Sequence, residues 1–217
     1  MPEQHRRMWL LSLVALVTAA LTLGAQDSLD PRVQKFLDEN RGRWRDLNVP
    51  AVDGQTLHEL IVKHKYTRAL EIGTSTGHSG IWMAWALSKT GGKLITIDID
   101  EQRHREALKN FEAAGVSKFI DARLGDAHTI VPALEGPFDF VFSDADKDWY
   151  KNYLVAVLPK LTVGGCYTTH NVSGGAGGRG RMRGRDDYYE FLLAQPNLET
   201  TVDTRGGGLA ISYKRRP

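Results

Sequence analysis

The sequence predicts an α/β fold: a seven-stranded, mostly parallel sheet with helices on both faces and an antiparallel hairpin at the C-terminal end. From Leu29 onward, short apolar runs alternate with amphipathic helical segments, which is typical of parallel strands joined by right-handed crossovers. The last two apolar runs are separated by a short glycine-rich stretch, which favours a hairpin. The 217 residues are 41% hydrophobic and 25% charged, which suits one α/β domain with a substantial core.

Turn and cap residues predict where the helices and strands of the N-terminal half begin and end. A helix over residues 31–41 carries a proline in its first turn. A second helix begins near Asp53 and places Leu57, Leu60 and Ile61 on one face. The elements predicted after it are a strand at 68–72, a helix at 78–87, a strand at 93–98 and a helix at 101–114.

Glycine and proline residues separate the elements of the C-terminal half. The pair Gly164-Gly165 separates a helix from the fifth strand, and Pro196 ends the last helix. In chain order, the predicted elements are strands at 119–124 and 138–143, a helix at 149–161, a strand at 166–169, a helix at 187–194 and strands at 199–203 and 209–214.

The most informative segment is the turn after the first strand. Its glycines at 73, 77 and 80 have the spacing G-x-x-x-G-x-x-G, and Glu71 stands two positions before the first of them. Glycines let a ligand and a helix N-terminus approach the backbone closely. The spacing differs from the G-x-G-x-x-G of dinucleotide-binding proteins, so it disfavours a nucleotide-dependent oxidoreductase. An ordinary tight turn between strand and helix is the alternative interpretation.

Polar residues also follow the second and third strands. Ligands of parallel sheets bind beyond the carboxyl ends of the strands. Asp98 ends the second strand, 25 residues after Gly73, where its carboxylate can accept hydrogen bonds from two ribose hydroxyls. Asp126 and Ala127 follow the third strand and could frame an adenine ring. The alternative is that these carboxylates only cap the helices that follow.

The fourth strand ends in three carboxylates and a lysine, namely Asp144, Asp146, Lys147 and Asp148. Charges this dense are costly to leave unpaired in a partly closed site. A divalent cation would relieve that cost, and oxygen ligands suit Mg²⁺. A solvated loop that caps the next helix is the alternative.

Two of these segments resemble a known family. The glycine-rich turn resembles the first motif of Rossmann-like S-adenosyl-L-methionine (SAM) methyltransferases. Residues 138–150, with Gly164-Gly165 and Asn171, resemble the cation-dependent O-methyltransferases, which include catechol and caffeoyl-CoA O-methyltransferases. The resemblance extends over about residues 47–214. It implies the Rossmann-like SAM-methyltransferase fold and methyl transfer from SAM to a hydroxyl of a small catechol-like or phenolic substrate.

The resemblance and the glycine-rich turn together predict the cofactor-binding residues. They are Val49, Glu71, Gly73, Gly77, Ser79, Asp98, Asp126 and Ala127. By the resemblance, Lys147 is the general base and Asp144 the second catalytic residue. The predicted metal ligands are Asp144, His170 and Asn171.

One residue departs from the family pattern. Where the family has an Asp-Asn pair after the fifth strand, this chain has His170-Asn171. The change removes one negative charge and favours Mn²⁺, Fe²⁺ or Zn²⁺ over Mg²⁺. We hypothesise that a metal is retained, because Asp144, Lys147 and Asn171 are present. Weak metal binding, or none, is the alternative, and a catalytically inactive SAM-binding protein is the corresponding alternative function.

The first 25 residues predict a signal peptide or an N-terminal membrane anchor, which leaves residues 26–217 as the methyltransferase domain. A basic stretch ending at Arg7 precedes the apolar residues 8–25. Export to the periplasm or medium, or attachment to a membrane through residues 8–25, is expected. A cytoplasmic location with this segment as a core helix remains the alternative.

The net charge, the segment 173–185, the cysteine and two histidines give weaker indications of function. The formal net charge of +2 does not indicate a nucleic-acid partner; a small hydroxylated substrate is expected, and a homodimer is left open. Residues 173–185 are rich in glycine and arginine; a disordered surface loop is preferred over a lid on an anionic substrate or an RNA contact. Cys166 is predicted to be a core residue. His78 and His128 are predicted to be structural or surface residues, because both are distant in sequence from Asp144.

Overall fold

The computed structural model describes residues 29–45, 47–172 and 185–217. The predicted signal or anchor at residues 1–25 lies outside this part of the chain, as do all but the last residue of the glycine- and arginine-rich segment 173–185. Among the described residues, no helix combines the length and apolar character that a membrane crossing requires.

Seven strands form one sheet. They are Arg68–Ile72 (β1), Lys93–Asp98 (β2), Ile120–Leu124 (β3), Phe138–Ser143 (β4), Leu161–His170 (β5), Leu198–Asp203 (β6) and Leu209–Lys214 (β7). Their order across the sheet is β3-β2-β1-β4-β5-β7-β6. The first five strands are mutually parallel, whereas β7 is antiparallel to both of its neighbours. The predicted fold class is therefore confirmed.

Seven α-helices surround the sheet in the described part of the chain. They are residues 29–39 (α1), Ala51–His64 (α2), His78–Thr90 (α3), Glu101–Ala114 (α4), Ala127–Ala133 (α5), Tyr150–Val157 (α6) and Arg185–Leu193 (α7). Alternate residues of the strands pack on opposite faces: Leu70 belongs to the apolar cluster beneath α5, α6 and α7, and Ala69 to the cluster beneath α2 and α3. Both faces of the sheet are thus covered, as parallel sheets require.

The predicted bounds of β1, β2, β4, β7 and α4 match the structure. These elements have clear limits in the sequence. For example, Asp100 begins α4 as its N-cap, with its carboxylate accepting hydrogen bonds from the backbone of Gln102 and Arg103, and Gly115 ends the helix in the left-handed conformation.

Two features of the fold differ from the prediction. Residues 127–133, where no helix was predicted, form α5, which has only seven residues and contains Pro132. The fifth strand begins at Leu161 rather than at 166. Within the predicted helix 149–161, Tyr150–Val157 is α-helical and Leu158–Lys160 forms a 3₁₀ turn. Gly164 and Gly165 lie within β5, where the register against β4 shifts, and so form an irregularity rather than a turn before the strand.

Candidate active site

The loops that follow the first four strands meet at one edge of the sheet. The backbone amide of Ser75, after β1, donates to Oδ2 of Asp98 over 2.7 Å, and that of Gly125, after β3, donates to the carbonyl of Asp98 over 2.8 Å. The amide of Asp144, after β4, donates to the carbonyl of Ile72 over 2.8 Å. Asp98 and Asp144 therefore lie on the same rim, as their positions at the ends of parallel strands predicted.

Gly73 lets two of these loops touch. Its φ of +99° lies in the region that favours glycine. A Cβ at this position would stand 2.6 Å from the carbonyl oxygen of Asp144. Any other residue would therefore separate the turn after β1 from the turn after β4.

A cavity of about 390 Å³ opens at this rim. Its lining includes four of the predicted cofactor-binding residues, Gly73, Asp98, Asp126 and Ala127, together with Asp144. It also includes residues that sequence reasoning did not assign, among them Ile99, Arg103, His128 and Tyr153. Ile99 directly follows Asp98 and is 71% exposed. An apolar residue directly after a strand-end carboxylate is the sequence feature that could have identified Ile99 as part of the cavity.

The other four predicted cofactor-binding residues lie behind the glycine-rich turn. Val49 is buried, and its carbonyl contacts the ring of His78. Gly77 faces Phe111, whose ring would be 2.7 Å from an added Cβ. Ser79 donates from its hydroxyl to Glu71 over 2.5 Å. These residues shape the turn from beneath and do not line the cavity.

The two histidines considered above have different surroundings. Nε2 of His78 accepts the indole hydrogen of Trp82 over 3.1 Å, so Nδ1 carries the hydrogen donated to the Val49 carbonyl. Burial lowers the pKa of His78 to about 4, and its burial and two hydrogen bonds agree with the predicted structural role. His128 lies close to the Asp144 loop, contrary to the inference from sequence distance. It stacks on Trp149 with ring centroids 3.8 Å apart, because α5 brings it there.

Glu71 is fully buried in β1. Its carboxyl group accepts hydrogen bonds from Ser79 and Thr96, each over 2.5 Å. Burial nevertheless dominates, and together with the charges of Asp98 and Asp144 it raises the pKa of Glu71 to about 8.

This shift predicts a pH-dependent stability. Between pH 4.5 and about 8 the folded protein holds a proton on Glu71 that the unfolded chain has released, so stability falls as pH rises through this window. Glu71→Gln removes that loss. We expect the variant to gain stability relative to the wild type between pH 5 and 8, by on the order of a few kcal/mol. The free energy of unfolding of wild type and variant, measured in urea at pH 5 and at pH 8, tests this prediction. Glu112→Gln, at an exposed position of α4, is the control, and an equal response of both variants would contradict the assignment.

Lys147, Asp144 and Asn171 form a cluster beside the cavity. Nζ of Lys147 donates to Oδ1 of Asn171 over 2.5 Å and to Oδ1 of Asp144 over 3.3 Å. The backbone of Asn171 has a φ of +61°, an uncommon conformation for a residue other than glycine. Tyr150, which sequence reasoning did not assign a role, places its hydroxyl 3.3 Å from the same oxygen of Asp144 and 3.2 Å from the His170 carbonyl. Burial and the Asp144 charge raise the pKa of Tyr150 well above its usual value, so it remains a neutral donor.

His170 lies between two carboxylates. Its Nδ1 is 3.0 Å from Oδ2 of Asp144, and its Nε2 is 3.0 Å from Oδ2 of Asp53. Burial alone would lower the pKa of His170, but the two carboxylates outweigh burial and raise it to about 9. From the sequence, Asp53 is predicted only to lie at the start of a helix. The feature that indicates its position is that this acidic residue shares a face of α2 with Leu57 and Ile61, both of which are buried.

The structure brings the three predicted metal ligands together, but it engages them with one another and with Lys147 and Asp53. In the described ranges, no group of three or more histidine, cysteine, aspartate or glutamate side chains is arranged so that it could hold a metal ion.

The fold and the rim together define a class of protein. A β3-β2-β1-β4-β5-β7-β6 sheet with a glycine-rich turn after β1 and a strand-end aspartate after β2 is the arrangement of the Rossmann-like SAM-dependent methyltransferases. The chain belongs to the O-methyltransferase family, whose model matches residues 28–176. It is a SAM-dependent O-methyltransferase.

Individual relatives agree with this assignment. Caffeoyl-CoA O-methyltransferase 1 from Eucalyptus globulus is 32% identical over 187 residues, covering 81% of this chain and 76% of that protein. Catechol O-methyltransferase from Niastella koreensis is 37% identical over 130 residues, covering 58% of each. The crystal structure of an O-methyltransferase from Bacillus cereus in complex with SAH has a TM-score of 0.72 and 26% identity, covering 90% of this chain and 97% of that one.

Proposed function

We propose that this enzyme transfers the methyl group of SAM to a hydroxyl of a small phenolic, catechol-like molecule. One observation carries the proposal: the amine of Lys147 lies against Asp144 and Asn171, and Asp144 also lines the cavity that contains Asp98. These contacts support Lys147 as a base beside the expected position of the cofactor. The relatives named for caffeoyl-CoA and catechol support a phenolic substrate.

Asp98 is the proposed ribose contact. Its two oxygens accept hydrogen bonds from the backbone amides of Ser75 and Asp100, over 2.7 and 2.9 Å. A carboxylate has about four acceptor positions, so two remain for the ribose hydroxyls. Ile99 and Tyr153 supply apolar walls to the same cavity, and we assign the adenine ring to the region between them and Ala127.

The chemistry is a displacement at a methyl carbon. The hydroxyl oxygen forms a bond to that carbon, the carbon–sulfur bond breaks, and its electron pair stays on sulfur. The hydroxyl proton passes to the amine of Lys147, the proposed general base. A phenol with a pKa of about 10 is mostly protonated at neutral pH, so removing this proton exposes the nucleophile. Alignment of the oxygen with the methyl carbon is the larger contribution, worth roughly 7–11 kcal/mol in well-oriented reactions.

The side chains at the predicted metal position do not fit a divalent cation. A metal-binding imidazole must present a lone pair, whereas both ring nitrogens of His170 contact carboxylate oxygens at 3.0 Å. The side-chain oxygen of Asn171 and one oxygen of Asp144 accept hydrogen bonds from Lys147. The proposed reaction therefore contains no step on a metal.

A methyl-transfer assay tests the proposal. The purified enzyme is incubated with SAM and a panel containing a catechol, a monophenol and a fully methoxylated analogue without a free hydroxyl. We expect a methylated product from the catechol and none from the methoxylated analogue. SAM binding by calorimetry without turnover on any hydroxylated compound would favour the alternative of an inactive SAM-binding protein.

The role of the N-terminal segment and the oligomeric state of the enzyme are separate proposals. We propose that residues 8–25 export the chain or attach it to a membrane, on the basis of their apolar composition after a basic start. Fractionation of cells that express the full chain, with N-terminal sequencing of the product, distinguishes cleavage, anchoring and retention in the cytoplasm. Light scattering of the purified enzyme tests for a homodimer.

A further inference from the structure

The contacts of His170 point to a role that the family resemblance does not supply. This residue stands where the family has an aspartate. Each of its ring nitrogens faces a carboxylate oxygen at 3.0 Å, Asp144 on one side and Asp53 on the other. Both ring nitrogens are therefore engaged by carboxylate oxygens, and neither is open to a metal.

The position of His170 is fixed by its surroundings. Its side chain is 6% exposed and that of Asp53 is 1% exposed, so neither group can turn out to water without disrupting its packing. Asp53 comes from α2 and His170 from the end of β5. A third segment, the turn between β6 and β7, adds the backbone amide of Gly207, which donates to Oδ2 of Asp53 over 2.7 Å. Three separate parts of the chain therefore build this arrangement.

Two glycines of that turn leave room for the pair. A Cβ at position 206 would be 2.1 Å from Oδ1 of Asp53, and one at position 207 would be 2.3 Å from Nε2 of His170. Distances this short cannot be accommodated without movement. The turn thus approaches the Asp53–His170 pair because both positions lack side chains.

Asp144 and Asn171 have further hydrogen-bond partners in this cluster. Oδ1 of Asp144 lies 3.3 Å from Lys147 Nζ and 3.3 Å from the Tyr150 hydroxyl, and Oδ1 of Asn171 accepts from Lys147 over 2.5 Å. The imidazole and the amine thus supply the donors that compensate two buried or half-buried carboxylates. Both oxygens of Asp144 and Oδ2 of Asp53 therefore already contact a nitrogen or hydroxyl donor.

We infer that His170, held by Asp53, excludes a divalent cation from this site, so that methyl transfer runs without one, and that Asp53 is a positioning residue that holds His170 against Asp144. The inference rests on the proposed function for its catalytic part only. It replaces the expectation that a metal is retained.

Metal titration tests the first part without any assay of turnover. Wild-type protein is freed of metals with a chelator and titrated calorimetrically with MgCl₂ and with MnCl₂. We expect no saturable binding with a Kd below about 1 mM. His170→Asp restores the acidic residue of the family and is expected to bind Mn²⁺ at least about tenfold more tightly than the wild type.

Saturable binding of either ion by the wild type would overturn the inference, and this test requires no variant to fold. Failure of a folded His170→Asp variant to gain Mn²⁺ binding would also overturn it, because His170 would then not be the excluding group. If the enzyme methylates phenols, chelator treatment should leave its rate unchanged, and loss of rate restored by Mn²⁺ would contradict the inference. If no phenol is methylated, the proposed function fails while the titration still decides the metal question.

Asp53→Asn tests the positioning role. We expect kcat to fall about 10–100-fold with the KM for SAM unchanged, as for a misplaced catalytic group. A spectroscopic readout accompanies it: a ¹H–¹⁵N spectrum of the wild type should show hydrogens on both ring nitrogens of His170, and in the variant the Nε2 signal should shift. Glu59→Gln, at an exposed position of the same helix, is the matched control. Equal kcat values in both variants, or a wild-type His170 ring with one bare nitrogen, would overturn the assignment.

Discussion

Replacing Lys147 by alanine is expected to lower kcat by about 10²–10⁴-fold, the contribution typical of a positioned general base. Lys147 Nζ is held by Asn171 and Asp144 beside the cavity, next to the proposed position of the methyl group. No hydrogen bond joins it to the proposed ribose contact, Asp98. Its loss should therefore leave the affinity for SAM unchanged. Steady-state kinetics with a catechol and calorimetric titration with SAM measure the two effects separately.

The matched control for this variant is Lys151→Ala. Lys151 is an exposed lysine four residues further along the chain, whose Nζ lies over the ring of Phe191 at 5.6 Å. It should leave kcat unchanged. A Lys147→Ala enzyme with undiminished turnover would remove this residue from the mechanism, and a parallel loss of SAM affinity would assign it to the cofactor site instead.

Replacing Asp98 by alanine should have the largest effect on cofactor binding. A hydrogen bond to a charged group contributes about 1.5–3 kcal/mol, and two such bonds to the ribose would be lost. We therefore expect the Kd for SAM to rise at least about 100-fold. The amides of Ser75 and Asp100 also lose an acceptor, so Asp98→Asn, which keeps the shape of the side chain, is measured beside it and should show a smaller rise.

Asp100→Ala separates cofactor binding from stability. Asp100 lies two residues after Asp98, but its carboxylate caps α4 by accepting from the backbone amides of Gln102 and Arg103. Loss of one helix cap should lower Tm by about 2–4 °C without changing the Kd for SAM. If Asp98→Ala shifts Tm in the same way and leaves the Kd unchanged, Asp98 is a structural carboxylate and the assignment of the ribose site is wrong.

Much of the fold could be predicted because its elements have strong local limits. β1, β2 and β4 are apolar runs between polar or glycine residues, and α4 is bounded by an aspartate cap and a glycine. α5 was missed because seven residues with an internal proline carry too little helical periodicity to be recognised. The start of β5 was placed late because a glycine pair that usually marks a turn lies here within an irregular strand.

The site could be predicted in so far as parallel strands bring their ends together. That rule placed Asp98, Asp144 and Lys147 on one rim. It could not find Asp53, which reaches His170 from a helix far away in sequence, because a contact of this kind depends on tertiary packing. His128 was placed away from the site for the same reason, since its position depends on the unrecognised α5. Glu71 and Ser79 were predicted to bind the cofactor, but their side chains contact each other beneath the glycine-rich turn.

The central claim is that the carboxyl ends of β1 to β5 hold SAM beside Lys147, with a phenolic hydroxyl between SAM and the Lys147 amine. A crystal structure of the enzyme with SAH and a catechol tests it most directly. We predict the ribose hydroxyls against Asp98 and a catechol oxygen within hydrogen-bond distance of the Lys147 amine, with no metal between them. SAH bound away from Asp98, or a catechol oxygen remote from Lys147, would contradict the account.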